Sequence, residues 1–269
     1  MSDFFRHHPA ALAQMVATVD IISGGRVIFG VSAGESMNLE PYGIAWDRPV
    51  SRMYEAIKVV KKLWIESPNR VDYDGKFYKL RKACLIKPVQ SPHPPIWIAA
   101  NSERTLKITA ELGDGWIPIC LPPEIYEERY KMLKELAIHY KREPDAIEPG
   151  LFLYFAVAES DDVAMNIIRD PARRIALMLP DLLERLGYHA PRDFSLAKAL
   201  FSDPYVVKRL EEASKKCLLK GLWIGCSCGF TYEVYREDKY IHKEWCKNFC
   251  IKTSSSKKRP FADDSILRP

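Results

Sequence analysis

The sequence lacks any uninterrupted apolar run approaching the roughly 18 residues that a membrane-spanning helix requires. The N-terminal residues 1–9 also lack the apolar core of a signal peptide. Neither the Gly-x-Gly-x-x-Gly fingerprint of dinucleotide-binding domains nor the Gly-x-x-x-x-Gly-Lys-Ser/Thr motif of P-loops opens a predicted helix. These absences predict a soluble cytoplasmic protein with no membrane partner and with neither of those two nucleotide sites.

Cysteine is scarce in residues 1–216, where only Cys84 and Cys120 occur, and an odd total of seven argues against a disulfide framework. The other five cysteines crowd residues 217–269, which also hold 10 Lys and Arg against 6 Asp and Glu. Residues 1–216 hold 30 Lys and Arg against 29 Asp and Glu, so this main body has no electrostatic footprint for nucleic acid. We therefore predict two regions, a main body over 1–216 and a divergent, Cys-rich, basic tail over 217–269.

A zinc site, or nucleic-acid binding through its positive charge, is one alternative for the tail. Structural zinc sites use sulfur and nitrogen ligands, and the tail supplies both types in Cys226, Cys228, His242, Cys246 and Cys250. Their spacing is not that of the usual zinc knuckles, so we assign no metal.

Helical and strand patterns alternate along the chain from residue 9 to residue 169. The predicted helices are Pro9–Ile22, Pro49–Ile65, Glu103–Leu112, Glu124–Tyr140 and a region from Asp161, and the predicted strands are Arg26–Ser32, Pro95–Ala100, Trp116–Ile119 and Leu151–Ala158. The first helix carries an apolar stripe that we expect to face the core, namely Leu12, Met15, Val16, Val19 and Ile22. An Asp-Gly turn predicts a hairpin within Val71–Ile86. Strict alternation implies a parallel sheet wrapped by helices, and without a nucleotide fingerprint a closed (β/α)₈ barrel is favoured.

The turn after the first predicted strand is the strongest candidate for chemistry. Ser32-Ala33-Gly34-Glu35 supplies small residues and a carboxylate at the carboxyl end of a strand, where parallel α/β sheets place their active sites. Gly34 would let backbone amides approach a ligand closely. A plain connection between strand and helix gives the same pattern, so this motif alone does not decide the function.

Several collinear segments resemble the bacterial-luciferase-like superfamily, in particular its deazaflavin-dependent oxidoreductases. They are residues 6–9, 13–26, 32–38, 42–51, 94–100 and 111–116, in the order and spacing of that family. Residues 43–51 look most like methylenetetrahydromethanopterin reductase, and residues 32–38 look equally like the deazaflavin-dependent glucose-6-phosphate dehydrogenase branch. The resemblance spans roughly residues 6–216.

The resemblance implies a TIM barrel that binds the deazaflavin coenzyme F-420, or FMN in sister branches, at the carboxyl ends of its strands. The expected reaction is hydride transfer between this cofactor and a small organic substrate such as a methylene-tetrahydropterin. Glu35 is the expected catalytic acid or base, or the group that orients the substrate. The expected cofactor contacts are Ser32, Ala33, Gly34 and Asn38 along the ring, and Ala100, Asn101 and Ser102 near a phosphate.

Two departures from the family pattern qualify this expectation. By position, residues 6–20 match the third helix of the barrel, so about three leading strands are expected to be missing, by truncation of the start. After Lys216 the resemblance decays, which a shifted reading frame would explain. An incomplete barrel has open sheet edges that invite pairing, so we expect a homo-oligomer. The alternative function is an inactive partial barrel that serves only as a binding or oligomer subunit.

Overall fold

The computed structural model describes the first 153 residues continuously and parts of the remainder. The described residues are 1–153, 156, 158, 160, 162–164, 166, 167, 223–226 and 231–234. Four α-helices lie in the continuous part: α1 Pro9–Ser23, α2 Pro49–Glu66, α3 Glu103–Leu112 and α4 Pro123–His139. The strands are β1 Phe29–Val31, β2 Val71–Asp74, β3 Lys79–Ala83, β4 Ile96–Ile98, β5 Gly115–Trp116, β6 Glu148–Pro149, β7 Trp223–Cys226 and β8 Thr231–Val234.

The main sheet is parallel, and its strands follow one another in space in the order in which they follow along the chain. β1, β4, β5 and β6 are neighbours in that order, and Ser2 pairs in parallel with Val31 on the free side of β1. Successive helices also contact one another, α1 with α2, α2 with α3 and α3 with α4. A doubly wound sheet reverses its strand order at a switch point, and this sheet does not over the described strands. The arrangement is that of consecutive units of a (β/α)₈ barrel.

The core lies between the sheet and the helices. Phe29 of β1 packs edge-on against Trp64 of α2, with the ring centroids 5.8 Å apart. Trp116 of β5 stacks on Tyr126 of α4 at 4.8 Å, and all four rings are buried. Trp64 and Trp116 are both fully buried in this core.

The predicted inward face of α1 is wrong in part. Leu12 is buried, but Met15, Val19 and Ile22 are 50%, 51% and 79% exposed. The residues buried on this helix are mostly small, and they are Pro9, Leu12, Ala13, Ala17 and Asp20. Small side chains bring the helix close to α2, where the Trp64 indole N–H donates to the carbonyl of Ala13 at 2.9 Å. The larger apolar side chains are therefore left on the outer face.

The hairpin β2–β3 was predicted from its Asp-Gly turn, and a carboxylate of α2 fixes it to the helix. Glu55 accepts the backbone N–H groups of Lys76, Phe77 and Tyr78 at 3.1, 2.9 and 2.8 Å. Three turn donors are thus satisfied by one largely buried side chain.

The last strand of the described sheet begins earlier than the predicted Leu151–Ala158. Pairing with β5 occurs at Glu148 and Pro149, and Phe152 forms an isolated bridge to Ile119. The backbone N–H groups of Glu148 and Gly150 donate to the carbonyls of Asp114 and Trp116 at 2.9 and 2.7 Å, so the residue between them needs no N–H on that side. A proline at 149 is therefore compatible with the ladder.

One large side chain lies across the glycines of the neighbouring strands. A Cβ atom at Gly115 would lie 2.5 Å from the indole of Trp97, and one at Gly150 would lie 2.8 Å from it. The register places Trp97 directly between Gly30 and Gly115. The indole thus takes the space that side chains on the next two strands would need.

Candidate functional site

The two predicted parts of the site lie at the same edge of the sheet. β1 and β4 are adjacent and parallel, with Val31 opposite Ile98. The backbone N–H of Ala99 donates to the carbonyl of Val31 at 2.9 Å, so both strands end together. Residues 32–35 and residues 100–102 consequently leave the sheet side by side.

The turn formed by Ser32, Ala33 and Gly34 is held by its own hydrogen bonds and by the N-terminal segment. Gly34 has φ +72° and its N–H contacts the Ser32 hydroxyl oxygen at 3.3 Å. The Trp46 indole N–H donates to the Ala33 carbonyl at 3.1 Å. The positive φ favours glycine at this position, and a Cβ atom at Gly34 would also be crowded, at 3.2 Å from Cβ of Asp3.

Glu35 and Asn38 form a pair beside this turn. The Asn38 side-chain amide donates to Oε2 of Glu35 at 2.8 Å. Partial burial raises the pKa of the Glu35 carboxyl above its ordinary value, although the residue as a whole is exposed. Among the described residues no donor contacts the second oxygen, Oε1. The carboxyl group can therefore take up or release a proton at an accessible oxygen.

The N-terminal segment adds two charged residues to the site. Arg6 donates one guanidinium N–H to the Asn38 carbonyl and another to Oδ2 of Asp3 at 3.0 Å. Oδ1 of Asp3 accepts the backbone N–H groups of Phe5 and Arg6 at 2.9 and 3.2 Å. A connected chain of hydrogen bonds therefore runs from Asp3 to the Glu35 carboxyl.

The turn after β4 uses its polar side chains internally. The Asn101 side chain accepts the Ile119 N–H at 3.0 Å, and its amide lies 3.5 Å from the Ile119 carbonyl. Ser102 caps α3 by a reciprocal capping box with Thr105. The Trp116 indole N–H donates to the Ala100 carbonyl at 2.7 Å. These contacts fix the turn, and the unpaired donors at this helix start are the backbone N–H groups of the next residues in α3.

Those donors belong to Glu103 and Arg104, whose N–H groups have no hydrogen-bond partner within the described residues. Free amides at a helix start, together with the helix dipole, favour a bound anion. The edge thus offers a proton-exchanging carboxyl on one turn and anion-binding amides on the next.

Sequence reasoning missed three residues of this edge. Arg6 and Trp46 lie inside segments that carried the family resemblance, but nothing in the residue types assigned them to the turn. Asp3 had no signal beyond the tendency of aspartate to accept local backbone N–H groups. His7 and His8, which lie between this segment and α1, are exposed.

The sequence matches the family of luciferase-like monooxygenases over residues 2–214, well over half of the chain. The chain belongs to this family. The resemblance found in the sequence is therefore confirmed.

Named relatives of this luciferase-like chain are oxidoreductases. It is 34% identical over 185 residues to a phthiodiolone/phenolphthiodiolone dimycocerosates ketoreductase of Mycobacterium sp. (strain JLS), covering 67% of the chain and 48% of the relative. It is 30% identical over 228 residues to the 5,10-methylenetetrahydromethanopterin reductase of Archaeoglobus fulgidus, covering 84% of the chain and 63% of the relative. The chain thus spans about half to under two thirds of the length of these curated relatives.

Solved structures support the fold. An F-420-dependent secondary alcohol dehydrogenase in complex with an F-420–acetone adduct matches with a TM-score of 0.66 at 22% identity, covering 84% of this chain and 64% of that one. The coenzyme F-420-dependent tetrahydromethanopterin reductase from Methanopyrus kandleri matches with a TM-score of 0.63 at 22% identity, covering 85% and 76%. The luciferase-like (β/α)₈ barrel is confirmed as the fold class.

Two further findings concern only the part of the chain that the structure describes. No group of three or more His, Cys, Asp or Glu side chains there is arranged to hold a metal ion. No described helix is long and apolar enough to cross a bilayer. The cysteine cluster of the tail lies outside the described side chains, so the division at residue 216 stays a prediction.

Proposed function

We propose that this chain is an oxidoreductase that transfers a hydride between coenzyme F-420 and a small organic substrate. The substrate class is a carbonyl compound or a methylene-tetrahydropterin, which are alike in accepting a hydride at an electron-poor carbon. FMN is the alternative cofactor. The names of the relatives support this proposal, since they include a ketoreductase and a methylenetetrahydromethanopterin reductase.

The observation that carries the proposal is the juxtaposition of two turns at one sheet edge. One turn presents Glu35 with a raised pKa, and the other starts a helix with free backbone N–H groups. Because β1 and β4 are adjacent, a single ligand can meet both turns. A cofactor with a flat ring and a phosphate-bearing tail suits that pair of features.

The residues present fit such a cofactor with one refinement. Ser32, Ala33, Gly34 and Asn38 are proposed to lie along its ring, and Ala100, Asn101 and Ser102 beside its phosphate. Because the Asn101 and Ser102 side chains already have partners in the fold, they would shape this turn, while the N–H groups of residues 103 and 104 bind the anion.

Glu35 is proposed to supply or accept the proton of the reaction. Reduction of a carbonyl adds a hydride to its carbon and a proton to its oxygen. The coenzyme would supply the hydride when bound. The pKa of Glu35 is raised by burial, so the protonated form persists closer to neutral pH than for an ordinary glutamate. Its Oε1 is the oxygen placed to deliver that proton, because Oε2 is held by Asn38.

The test is a fluorescence titration of purified protein with F-420 and with FMN, followed by assays on ketones and methylene-tetrahydropterins. We expect binding by the unsubstituted protein, and in Glu35→Gln a loss of turnover of about 100-fold or more with little change in cofactor affinity. Glu40→Gln is the matched control, since Glu40 is an exposed acid in the next short helix. Binding of neither cofactor would overturn the proposal.

A partial barrel acting as a subunit is the second candidate. In that case gel filtration would show a well-folded assembly that binds no cofactor and turns over no substrate. A chain that catalyses the reaction rules this candidate out.

Self-association is proposed as well. The outer face of α1 exposes Met15, Val19 and Ile22, and Ile28 nearby along the chain is 56% exposed. Exposed apolar side chains that form a contiguous patch commonly mark protein interaction sites. Sedimentation of the unsubstituted protein and of Val19→Lys would show whether a homo-oligomer forms through this helix.

A further inference from the structure

We propose that Arg6 is a positioning residue that fixes the Glu35 carboxyl through Asn38. The inference rests on the proposed function, in which Glu35 exchanges a proton with the substrate. Arg6 itself makes no contact with Glu35, and its effect would pass through one intermediate residue.

Asn38 is joined to Glu35 at two points. Its backbone N–H donates to the Glu35 carbonyl at 3.0 Å, and its side-chain amide donates to Oε2 at 2.8 Å. An ionised carboxylate only accepts hydrogen bonds, so the amide nitrogen is the donor in this pair. Any rotation of Asn38 therefore moves the carboxyl group or breaks its hydrogen bond.

Arg6 holds Asn38 from the other side. Its guanidinium donates through Nη2 to the Asn38 carbonyl and through Nη1 to Oδ2 of Asp3. The planar guanidinium keeps these two acceptors at a fixed separation, which the single nitrogen of a lysine cannot do. Asp3 is itself nearly buried and fixed by two backbone N–H groups, so the anchor is rigid.

The short 3₁₀-helix Ser36–Asn38 would lose this external support without Arg6. Its own backbone bonds are few, and the Asn38 carbonyl would turn to water. The donor on Oε2 would then be present for less of the time, and the ionised form of Glu35 would be less favoured. The charged side chains on the described segments that meet here include those of Asp3, Arg6, Glu35 and Glu40. Asp47 and Arg48 follow Trp46, and the Arg52 guanidinium of α2 lies 5.8 Å from the centroid of the Phe5 ring.

The experiment measures the Glu35 pKa in the cofactor-free protein by carbon-13 NMR of labelled glutamate carboxyls, assigned with Glu35→Gln. We expect Arg6→Ala to raise this pKa by about 0.5 to 1 unit, as for loss of one hydrogen bond to a partly exposed carboxylate. Arg26→Ala is the matched control, because Arg26 is also exposed and donates to a backbone carbonyl, that of Ser23 at 2.7 Å, before β1. This control should leave the Glu35 pKa unchanged.

Two more variants separate positioning from a general structural role. If Arg6 acts through Asn38, the double variant Arg6→Ala/Asn38→Ala shifts the Glu35 pKa no further than Asn38→Ala alone. Arg6→Lys keeps the charge but not the two-point contact, so it should raise the Glu35 pKa by less than Arg6→Ala does. Thermal midpoints of all variants report any loss of folding separately.

An unchanged Glu35 pKa in Arg6→Ala would overturn the inference, and so would additive shifts in the double variant. Neither result depends on the cofactor. If the unsubstituted protein binds neither F-420 nor FMN while Arg6→Ala shifts the Glu35 pKa, the proposed function fails and the positioning link stands. If both cofactor binding and the shift are found, turnover should also fall several-fold in Arg6→Ala, with little change in F-420 affinity, as for Glu35→Gln.

Discussion

The turn after β1 allows backbone strain and site geometry to be separated by two glycine substitutions. Gly34 and Gly24 have nearly the same backbone conformation, with φ +72° and +65°. An alanine held in this left-handed conformation lowers the free energy of unfolding by about 1–2 kcal/mol. The stiffer unfolded chain offsets about 0.4–1 kcal/mol of that loss. Backbone strain alone should lower the free energy of unfolding by about 1 kcal/mol in Gly34→Ala and in Gly24→Ala.

The surroundings of the two glycines differ. A Cβ atom at Gly24 would meet nothing within 4 Å, whereas one at Gly34 would lie 3.2 Å from Asp3 and 3.4 Å from Leu39. Asp3 cannot retreat without loosening its bonds to Arg6. We expect Gly34→Ala to lose about a further 1 kcal/mol from overpacking. Displacement of the turn should also weaken F-420 binding about tenfold, or about 1.4 kcal/mol.

Urea unfolding and a fluorescence titration with F-420 test this directly. The expected outcome is a larger stability loss in Gly34→Ala than in Gly24→Ala, with weakened binding only in the former. Equal stability losses would refute the crowding argument. Equal losses of binding would show that the cofactor does not lie beside the turn.

Three other outcomes are expected. Asp20→Ala should lower the free energy of unfolding by about 3 kcal/mol in urea, because the buried carboxylate accepts both backbone N–H groups of residues 89–90. Asn101→Ala should lower the free energy of unfolding by about 1–2 kcal/mol, since the side-chain contacts with the Ile119 backbone are lost. Burial lowers the pKa of His93 below its ordinary value of 6.5, so its stabilising contribution is present above that pH and is lost as the pH falls through the lowered pKa. His93→Phe should therefore unfold with a weaker pH dependence between about pH 7 and pH 5.

Each of these has a result that would contradict it. An unchanged urea midpoint in Asp20→Ala would mean that water replaces the carboxylate. A stable Asn101→Ala would show that the turn after β4 is fixed by α3 alone. Identical pH dependence with and without His93 would assign the acid sensitivity to other groups.

Local signals in the sequence predicted the elements well where caps and turns are strong. The bounds of α3 follow from the Ser102 cap and from Gly113 after its last residue. Pro49 opens α2, as its missing N–H allows. The Asp-Gly turn predicted the hairpin β2–β3.

What the sequence could not show depends on partners distant along the chain. Asp20 is buried because backbone N–H groups some 70 residues later bind it, and periodicity treats such a residue as polar surface. Ala13 and Ala17 face the core because small side chains bring α1 close to α2, a choice that hydrophobicity alone does not reveal. In the candidate site, Gly34 and Glu35 could be predicted from residue type, but Arg6 could not, since its acceptor is a backbone carbonyl.

The indole of Trp97 has a consequence for how this barrel could be reshaped. Because it occupies the positions of the absent side chains at Gly115 and Gly150, volume on this face is shared among three strands. A smaller residue at 97 vacates room that a larger one at 115 can refill, whereas either change alone leaves a void or a collision. Complementary exchanges of this kind would alter the interior beneath the candidate site while leaving the sequence of both turns intact.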